Sequence, residues 1–263
     1  MGSATREALE KARAALSSAK GVTLVTGEQL LSAERAIESS AQLRAVLSDP
    51  SIPESEKSSL IATIFSSLDP AAASVLATIV ESRWSSPADL LDGIEDLGIR
   101  AVAASAGETS GIESELFAFG RAVSSSAELE LAVGSKLGDP AGKVALVEKL
   151  LGGKASPATL AIVRHLVQSP RGRRIGELIS HSAATVADAA GSLVATVTAA
   201  TPPSAAQLEK LQASLAVKYG RAPRINLILD PSLLGGLRVQ LGDEVIDGSV
   251  ASRLADLRLR LAG

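Results

Sequence analysis

Few residues in this 263-residue chain have the types and spacing that chemistry requires. There is no cysteine, so no thiolate is available as a nucleophile, a disulfide partner, or an iron–sulfur or zinc ligand. The two histidines, His165 and His181, stand sixteen positions apart and cannot build a metal site by themselves. Two glycine–lysine segments, Gly138-Asp139-Pro140-Ala141-Gly142-Lys143 and Gly152-Gly153-Lys154, suggest a phosphate cradle. That cradle needs Gly, four residues, then Gly-Lys-Ser/Thr, because backbone amides wrap the phosphates while the hydroxyl meets magnesium. Here Val144 and Ala155 follow the lysines, and Leu137 and Glu148 occupy the first glycine's place, so neither fits. The acidic pairs Glu95-Asp96 and Asp243-Glu244 are adjacent in sequence, and a helix or turn points neighbours apart. The expectation is that the chain has no catalytic, cofactor-binding or metal-binding residues.

Three features have a functional and a structural reading. Arg171-Gly172-Arg173-Arg174 is a compact basic patch that can grip an acidic partner or a phosphate, or can be a solvated helix start after Ser169-Pro170. A phosphate-handling enzyme built on Arg173 and Arg174 lacks a base or metal beside them. His165 sits among Ile162, Val163, Leu166 and Val167, the setting of a core histidine with its ring nitrogen satisfied. Trp84, between Ile79-Val80 and Pro87, reads as a packing anchor at an inter-helix corner.

Composition excludes further classes. Twenty-six basic and 29 acidic residues give a net charge of −3, and five aromatic rings are too few for a base-stacking surface, so nucleic acid is not expected as a partner. Apolar runs such as 193–200 fall far short of the ~20 residues that span a bilayer, and no direct bilayer insertion is expected. The first residues mix both charge signs at helical spacing, unlike a signal peptide, which points to the cytoplasm. The length predicts two or three compact units.

The elements that would position these residues can be read from periodicity. Residues 1–107 and 108–191 read as helices, with stripes such as Leu30, Ala33, Ile37, Ala41 and Val144, Val147, Leu151 at steps of three and four. Breaks fall at Asp49-Pro50, Asp69-Pro70, Ser86-Pro87, Asp139-Pro140, Ser156-Pro157 and Ser169-Pro170. The second section also lies over the first. Arg35 to Leu43 matches Arg121 to Leu129 at a shift of 86, Pro70 falls on Pro157, Ile79-Val80 on Leu166-Val167, and the shift drifts only between 84 and 87. Alanine-rich helices can align by composition, but the preserved order favours two tandem bundles of related design.

After Gly191 the period changes to two. Leu193 to Ala199 is a strand, Thr201-Pro202-Pro203-Ser204 stops it, and Ser204 caps a helix carrying Leu208, Leu211, Leu215 and Val217. Ile225, Leu227 and Leu229 give a second strand, Leu237, Val239 and Leu241 a third with Arg238 and Gln240 outward, and Val245-Ile246 a short fourth. A last helix runs from Ser249, with Arg253, Arg258 and Arg260 late, where cations suit the helix dipole. The fold class is therefore mainly α: two tandem helical bundles, 1–107 and 108–191, followed by a small α+β domain, 192–263. Net charge runs from −5 through 0 to +2 across three sections cut at 105 and 191.

The run Leu229-Asp230-Pro231-Ser232-Leu233-Leu234-Gly235-Gly236-Leu237-Arg238-Val239-Gln240-Leu241-Gly242-Asp243-Glu244-Val245-Ile246-Asp247-Gly248-Ser249-Val250 is distinctive. Gly235-Gly236 removes two Cβ atoms where a strand begins, allowing a bulge or a close backbone approach, and Asp247-Gly248-Ser249 supplies a turn and a helix cap. This run closely resembles the C-terminal signature of the delta subunit of F-type ATP synthase, the family of the oligomycin-sensitivity-conferring protein. Within it Leu229, Asp230, Pro231, Leu233, Gly235, Gly236, Leu237, Val239, Gly242, Asp247, Gly248 and Ser249 carry the resemblance. It covers roughly the last 150 residues, with 112–191 similar to the family's N-terminal bundle and 1–107 standing as an additional one.

The resemblance implies a stator without catalytic activity, which couples proton-driven rotation to ATP synthesis. Its helical part would grip the alpha subunits, and the neighbouring beta subunits, of the catalytic head, and its C-terminal part the b subunit of the peripheral stalk. The implied location is the cytoplasmic face of the bacterial cell membrane, as a peripheral protein. Candidate partner contacts are Arg171, Arg173, Arg174, Arg253, Arg258 and Arg260. A free-standing helical adaptor that binds amphipathic partner helices is the alternative.

Overall fold

The computed structural model describes residues 2–107, 111–135, 138–191, 193–220, 223–230, 233, 235–241 and 244–248. Six helices come first: α1 (Ser3–Ser18), α2 (Leu24–Ser39), α3 (Ala41–Ser48), α4 (Glu54–Ile64), α5 (Pro70–Glu81) and α6 (Pro87–Ala106). Five follow: α7 (Ile112–Ser124), α8 (Ala127–Gly134), α9 (Pro140–Leu151), α10 (Pro157–Gln168) and α11 (Ile175–Ala189). Four of the six Asp-Pro and Ser-Pro breaks are helix starts, whereas Asp49-Pro50 and Ser169-Pro170 follow the ends of α3 and α10. Asp69, Ser86, Asp139 and Ser156 accept first-turn backbone N–H groups, while the proline behind each takes the position whose N–H would go unpaired anyway. Of the stripe expected on α2, Leu30, Ala33 and Ile37 are buried, but Ala41 is exposed, because Ser40 ends α2 and caps α3.

The chain forms two compact units, Met1–Ala190 and Gly191–Gly263. The first contains both helical sections and two cores. One gathers Leu30, Ile37, Leu76, Ile79, Leu90 and Ile94; the other gathers Ile112, Leu116, Ile162, Leu166, Leu178 and Ile179. The second core also takes Leu31 from α2 and Ile99, Val102 and Ala103 from α6, so the two sections share helices. Close packing of α2 on α6 depends on glycine: a Cβ on Gly27 would stand 2.7 Å from Val102 N and 3.0 Å from Gly98 O.

The two sections are also built alike. α2 packs on α6 as α7 packs on α11, and α4 on α5 as α9 on α10. Gln29 of α2 and Glu115 of α7, 86 positions apart, do the same task. Gln29 Oε1 accepts the Asp69 backbone N–H at 2.8 Å, and Glu115 Oε2 accepts that of Ser156 at 2.9 Å, each fixing a helix start. Alanine content would not reproduce a specific inter-helix hydrogen bond. α6 further stands toward α11 as α1 stands toward α6: Arg13 pairs with Asp96 at 3.1 Å, and Arg100, 87 positions later, pairs with Asp188 at 2.6 Å. One helix closes the first repeat and opens the second, the nearest-neighbour logic of repeat proteins.

The second unit holds β1 (Leu193–Ala199), α12 (Ala205–Tyr219), β2 (Pro223–Leu229), β3 (Leu237–Leu241) and β4 (Glu244–Asp247), in sheet order β2-β1-β3-β4. β1 and β2 are parallel, joined through α12, and β3 and β4 run antiparallel to their neighbours. Ala195, Val197, Leu215, Val239 and Leu241 form the core, with Arg238 and Gln240 exposed as their alternation predicts. Val217 departs from expectation: it is 89 % exposed, because two positions after Leu215 is about 200° around a helix. Leu229, at the end of β2, is half-exposed. The expected last helix lies outside the described residues.

Candidate functional sites

The arginine patch is the first candidate. Its backbone turns sharply after α10, with Arg171 at φ 45°, in the left-handed region that a non-glycine residue seldom adopts. That turn sends Arg171 back into the protein. Its side chain is 11 % exposed; Nη1 lies 2.8 Å from Asp92 Oδ1, Nε 3.3 Å from Glu34 Oε1, and Nη2 donates to Glu95 Oε2. Arg173 Nη2 donates to the same Glu95 oxygen at 2.6 Å. The patch does grip acids, but they are the chain's own, on α2 and α6. Of the three arginines, Arg174 at the start of α11 is exposed and the Arg173 side chain is 29 % exposed.

His165 of α10 closes this network. It is 1 % exposed, and Arg35 Nη1 donates to its Nδ1 at 2.9 Å. Its Nε2 lies 3.8 Å from Glu95 Oε2 and 3.9 Å from Glu34 Oε2, too far for hydrogen bonds. Ser169 Oγ donates to Glu38 of α2 at 2.5 Å. Burial drives the Glu95 carboxyl upward, but the His165 and Arg173 contacts and the Arg171 charge outweigh it and hold it well below the ordinary range. Burial pushes Glu34 up to about 7, because the Arg171 charge only partly offsets desolvation and Glu38 and Glu95 add repulsion. Burial also lowers His165, so the ring stays neutral. Residue types alone concealed this network; the clue lay in Glu34, which sits between Leu31 and Ile37 on the buried face of α2.

The remaining candidates resolve into structural roles. Asp139 caps α9, and Lys143, buried, donates to Ser135 O, so the first glycine–lysine segment is a helix start. Gly153 adopts φ 70° just past α9, and the second segment is a helix end. Glu95 and Asp96 do point apart, Glu95 to His165 and Asp96 to Arg13 and Arg100. Trp84 is a corner anchor: it is 6 % exposed and Nε1 donates to Ile79 O at 2.8 Å. His181 is exposed on α11.

The signature run ties the ends of the sheet together. Asp230 N donates to Ala199 O at 2.9 Å, so β1 and β2 stop together, and Leu233 N donates to Asp230 O at 3.1 Å. Gly235 and Gly236 have φ of 104° and 84°, so their role is backbone conformation at the start of β3. Gly248 N donates to Leu237 O at 2.9 Å, and a Cβ on Gly248 would stand 3.0 Å from that oxygen. Leu229, Leu233, Leu237, Val239 and Asp247 complete this segment, while Pro231, Gly242, Ser249, Arg253, Arg258 and Arg260 lie outside the described residues. A cleft of about 420 Å³ opens where β1 ends, lined by Pro202, Lys210, Leu211, Gly235, Gly236 and Leu237. In the helical unit, an open groove of about 440 Å³ runs beside α1, between Glu7 and Lys11 on one side and Glu54, Glu81 and Arg83 on the other. Among the described residues no helix is long and apolar enough to cross a membrane, and no group of His, Asp and Glu is placed to hold a metal ion.

Comparison with known proteins gives one consistent match. The family model described as ATP synthase delta (OSCP) subunit matches residues 11–91 and 99–261. A protein named ATP synthase subunit delta from Leifsonia xyli subsp. xyli is 53 % identical over 264 residues, covering all of both chains. Proteins of that name from Streptomyces avermitilis and Thermobifida fusca are 40 % and 39 % identical, covering 98 % and 92 % of this chain and 98 % and 91 % of theirs. The leading helical section thus lies within the span shared with these relatives. A chain of the Toxoplasma gondii mitochondrial ATP synthase hexamer is similar at a TM-score of 0.41 and 22 % identity, over 64 % of this chain and 95 % of that one.

Proposed function

This chain belongs to the ATP synthase delta (OSCP) subunit family, whose members are structural, non-catalytic subunits of ATP synthase, and on that premise we propose how it works as a stator. It ties the catalytic head to the peripheral stalk, so that proton-driven rotation is resisted and coupled to ATP synthesis. The helical unit holds the alpha subunits of the head, and the small sheet unit holds the b subunit, on the cytoplasmic face of the bacterial cell membrane as a peripheral protein. The observation that carries this reading is that the family match runs through both compact units. A tie needs two grips on one polypeptide, and two linked contacts raise each other's effective concentration.

For the head contact, the groove beside α1 is lined mainly by charged side chains of both signs, Glu7, Lys11, Glu54, Glu81 and Arg83, which suits the polar, charged face of a partner helix. The two helical sections cannot be told apart by truncation, since removing 1–105 would strip Leu31, Ile99 and Val102 from the second core. Charge reversal at exposed Glu7 and Lys11 tests the groove without unfolding it. The whole reading is tested by ending the chain at Ala190, which leaves both helical cores whole. Cells carrying only that fragment should show heads that no longer co-purify with stalks and ATP synthesis uncoupled from proton flow; retained coupling would overturn the assignment.

A further inference from the structure

The buried network between the two halves of the helical unit hangs on a single proton. Arg35 can only donate, so His165 Nδ1 accepts, and the neutral ring carries its hydrogen on Nε2. A second ring proton would set two donors against each other at 2.9 Å, so Arg35 adds to burial in holding His165 neutral. The Nε2–H instead faces Glu34 and Glu95. Glu95 is bonded by Arg171 and Arg173, whereas neither oxygen of Glu34, whose side chain is fully buried, has a hydrogen-bond partner among the described residues. The groups facing this point are Glu34, Arg35 and Glu38 from α2, Asp92 and Glu95 from α6, His165 from α10, and Arg171 and Arg173 from the α10–α11 connection. Four carboxylates meet three guanidinium groups and a neutral ring. One proton balances them, and the under-bonded carboxyl is the place for it.

We propose that Glu34 is the titrating element of a latch between the two halves of the helical unit: protonated, it holds α2 and α6 against α10; ionised, it loosens them. Its burial is the physical cause, since an ionised carboxylate without hydrogen bonds is costly away from water. The sign follows from its carboxyl being raised from 4.5 to about 7. The stability it contributes is complete below about 4.5 and lost as pH rises through about 7. Between pH 6 and 8 the equilibrium for parting the halves should therefore rise about tenfold.

Hydrogen exchange of the full chain, corrected for intrinsic pH dependence, tests this. Amides of α2 and α10 should lose about tenfold protection between pH 6 and pH 8, while those of β1 and β3 stay level. Glu34→Gln, which keeps the shape and cannot ionise, should remove the slope. A flat wild-type profile, or an undiminished slope in Glu34→Gln, overturns the proposal. Should that variant fail to fold, carbon-13 NMR of side-chain-labelled glutamates in the wild-type chain decides: one carboxyl titrating near neutrality supports the latch, and none above pH 6 refutes it.

Discussion

Replacing Arg171 by alanine isolates the buried ionic contribution to holding the two helical sections together. The guanidinium is 11 % exposed and serves Glu34, Glu95 and Asp92, of which the first two side chains are 0 % and 3 % exposed. Removing one partner of a buried ion pair leaves the other charged and dry, which costs about 3–5 kcal/mol. Alanine gains nothing back at φ 45°, where any Cβ is strained. With a urea slope of about 2 kcal/mol per molar, the unfolding midpoint should fall by about 2 M. Trp84, the chain's one tryptophan, is buried in the first core and supplies the fluorescence readout. The loss should depend on pH. Glu95 is held below the ordinary carboxylate range, so its contribution is present above about 4.5 and disappears as pH falls through its folded value. Without Arg171 that value rises, and the deficit should be largest at pH 7–8 and shrink toward pH 4. Exposed Arg174→Ala should stay within about 0.5 kcal/mol of wild type. A loss at Arg171 under about 1 kcal/mol, the range of a solvated pair, would refute the reasoning.

Other perturbations follow from the same contacts. Gly27→Ala should destabilise the helical unit by about 2 kcal/mol in a thermal melt, despite alanine's better helix propensity of about 1 kcal/mol, because the new Cβ meets Val102 N at 2.7 Å. Glu115→Ala should cost about 1–2 kcal/mol at neutral pH, through the bonds from Ser156 N at 2.9 Å, Ser156 Oγ at 2.7 Å and Thr159 Oγ1 at 2.5 Å. Those bonds outweigh burial and lower the Glu115 carboxyl, so that contribution is present above about 4.5 and should fade in melts at lower pH. Gly235→Ala should cost about 1–2 kcal/mol, read as faster exchange in β3, since φ 104° is strained for any other residue.

Local physics made much of this chain legible. Caps such as Asp69 and Ser156 satisfy N–H groups within their own first turn, and strand alternation depends only on neighbours, so helix starts and the sheet could be placed without knowing what packs where. The 86-residue shift likewise preserved local order. Val217 and Ala41 misled because a stripe continues on paper past the point where a cap or a helix face ends it. The fate of the charged residues was a different matter. Glu34, Arg35, Glu95, His165 and Arg171 come from three helices and a connection spread over 138 positions, and no spacing rule links them. Sequence determined that this is a helical repeat followed by a small sheet, and left its arginine patch open between a grip for acids and a solvated helix start. Only the tertiary structure decided that those acids are internal. Burial sets the cost of each unpaired charge, and burial belongs to the packed molecule rather than to any segment of the chain.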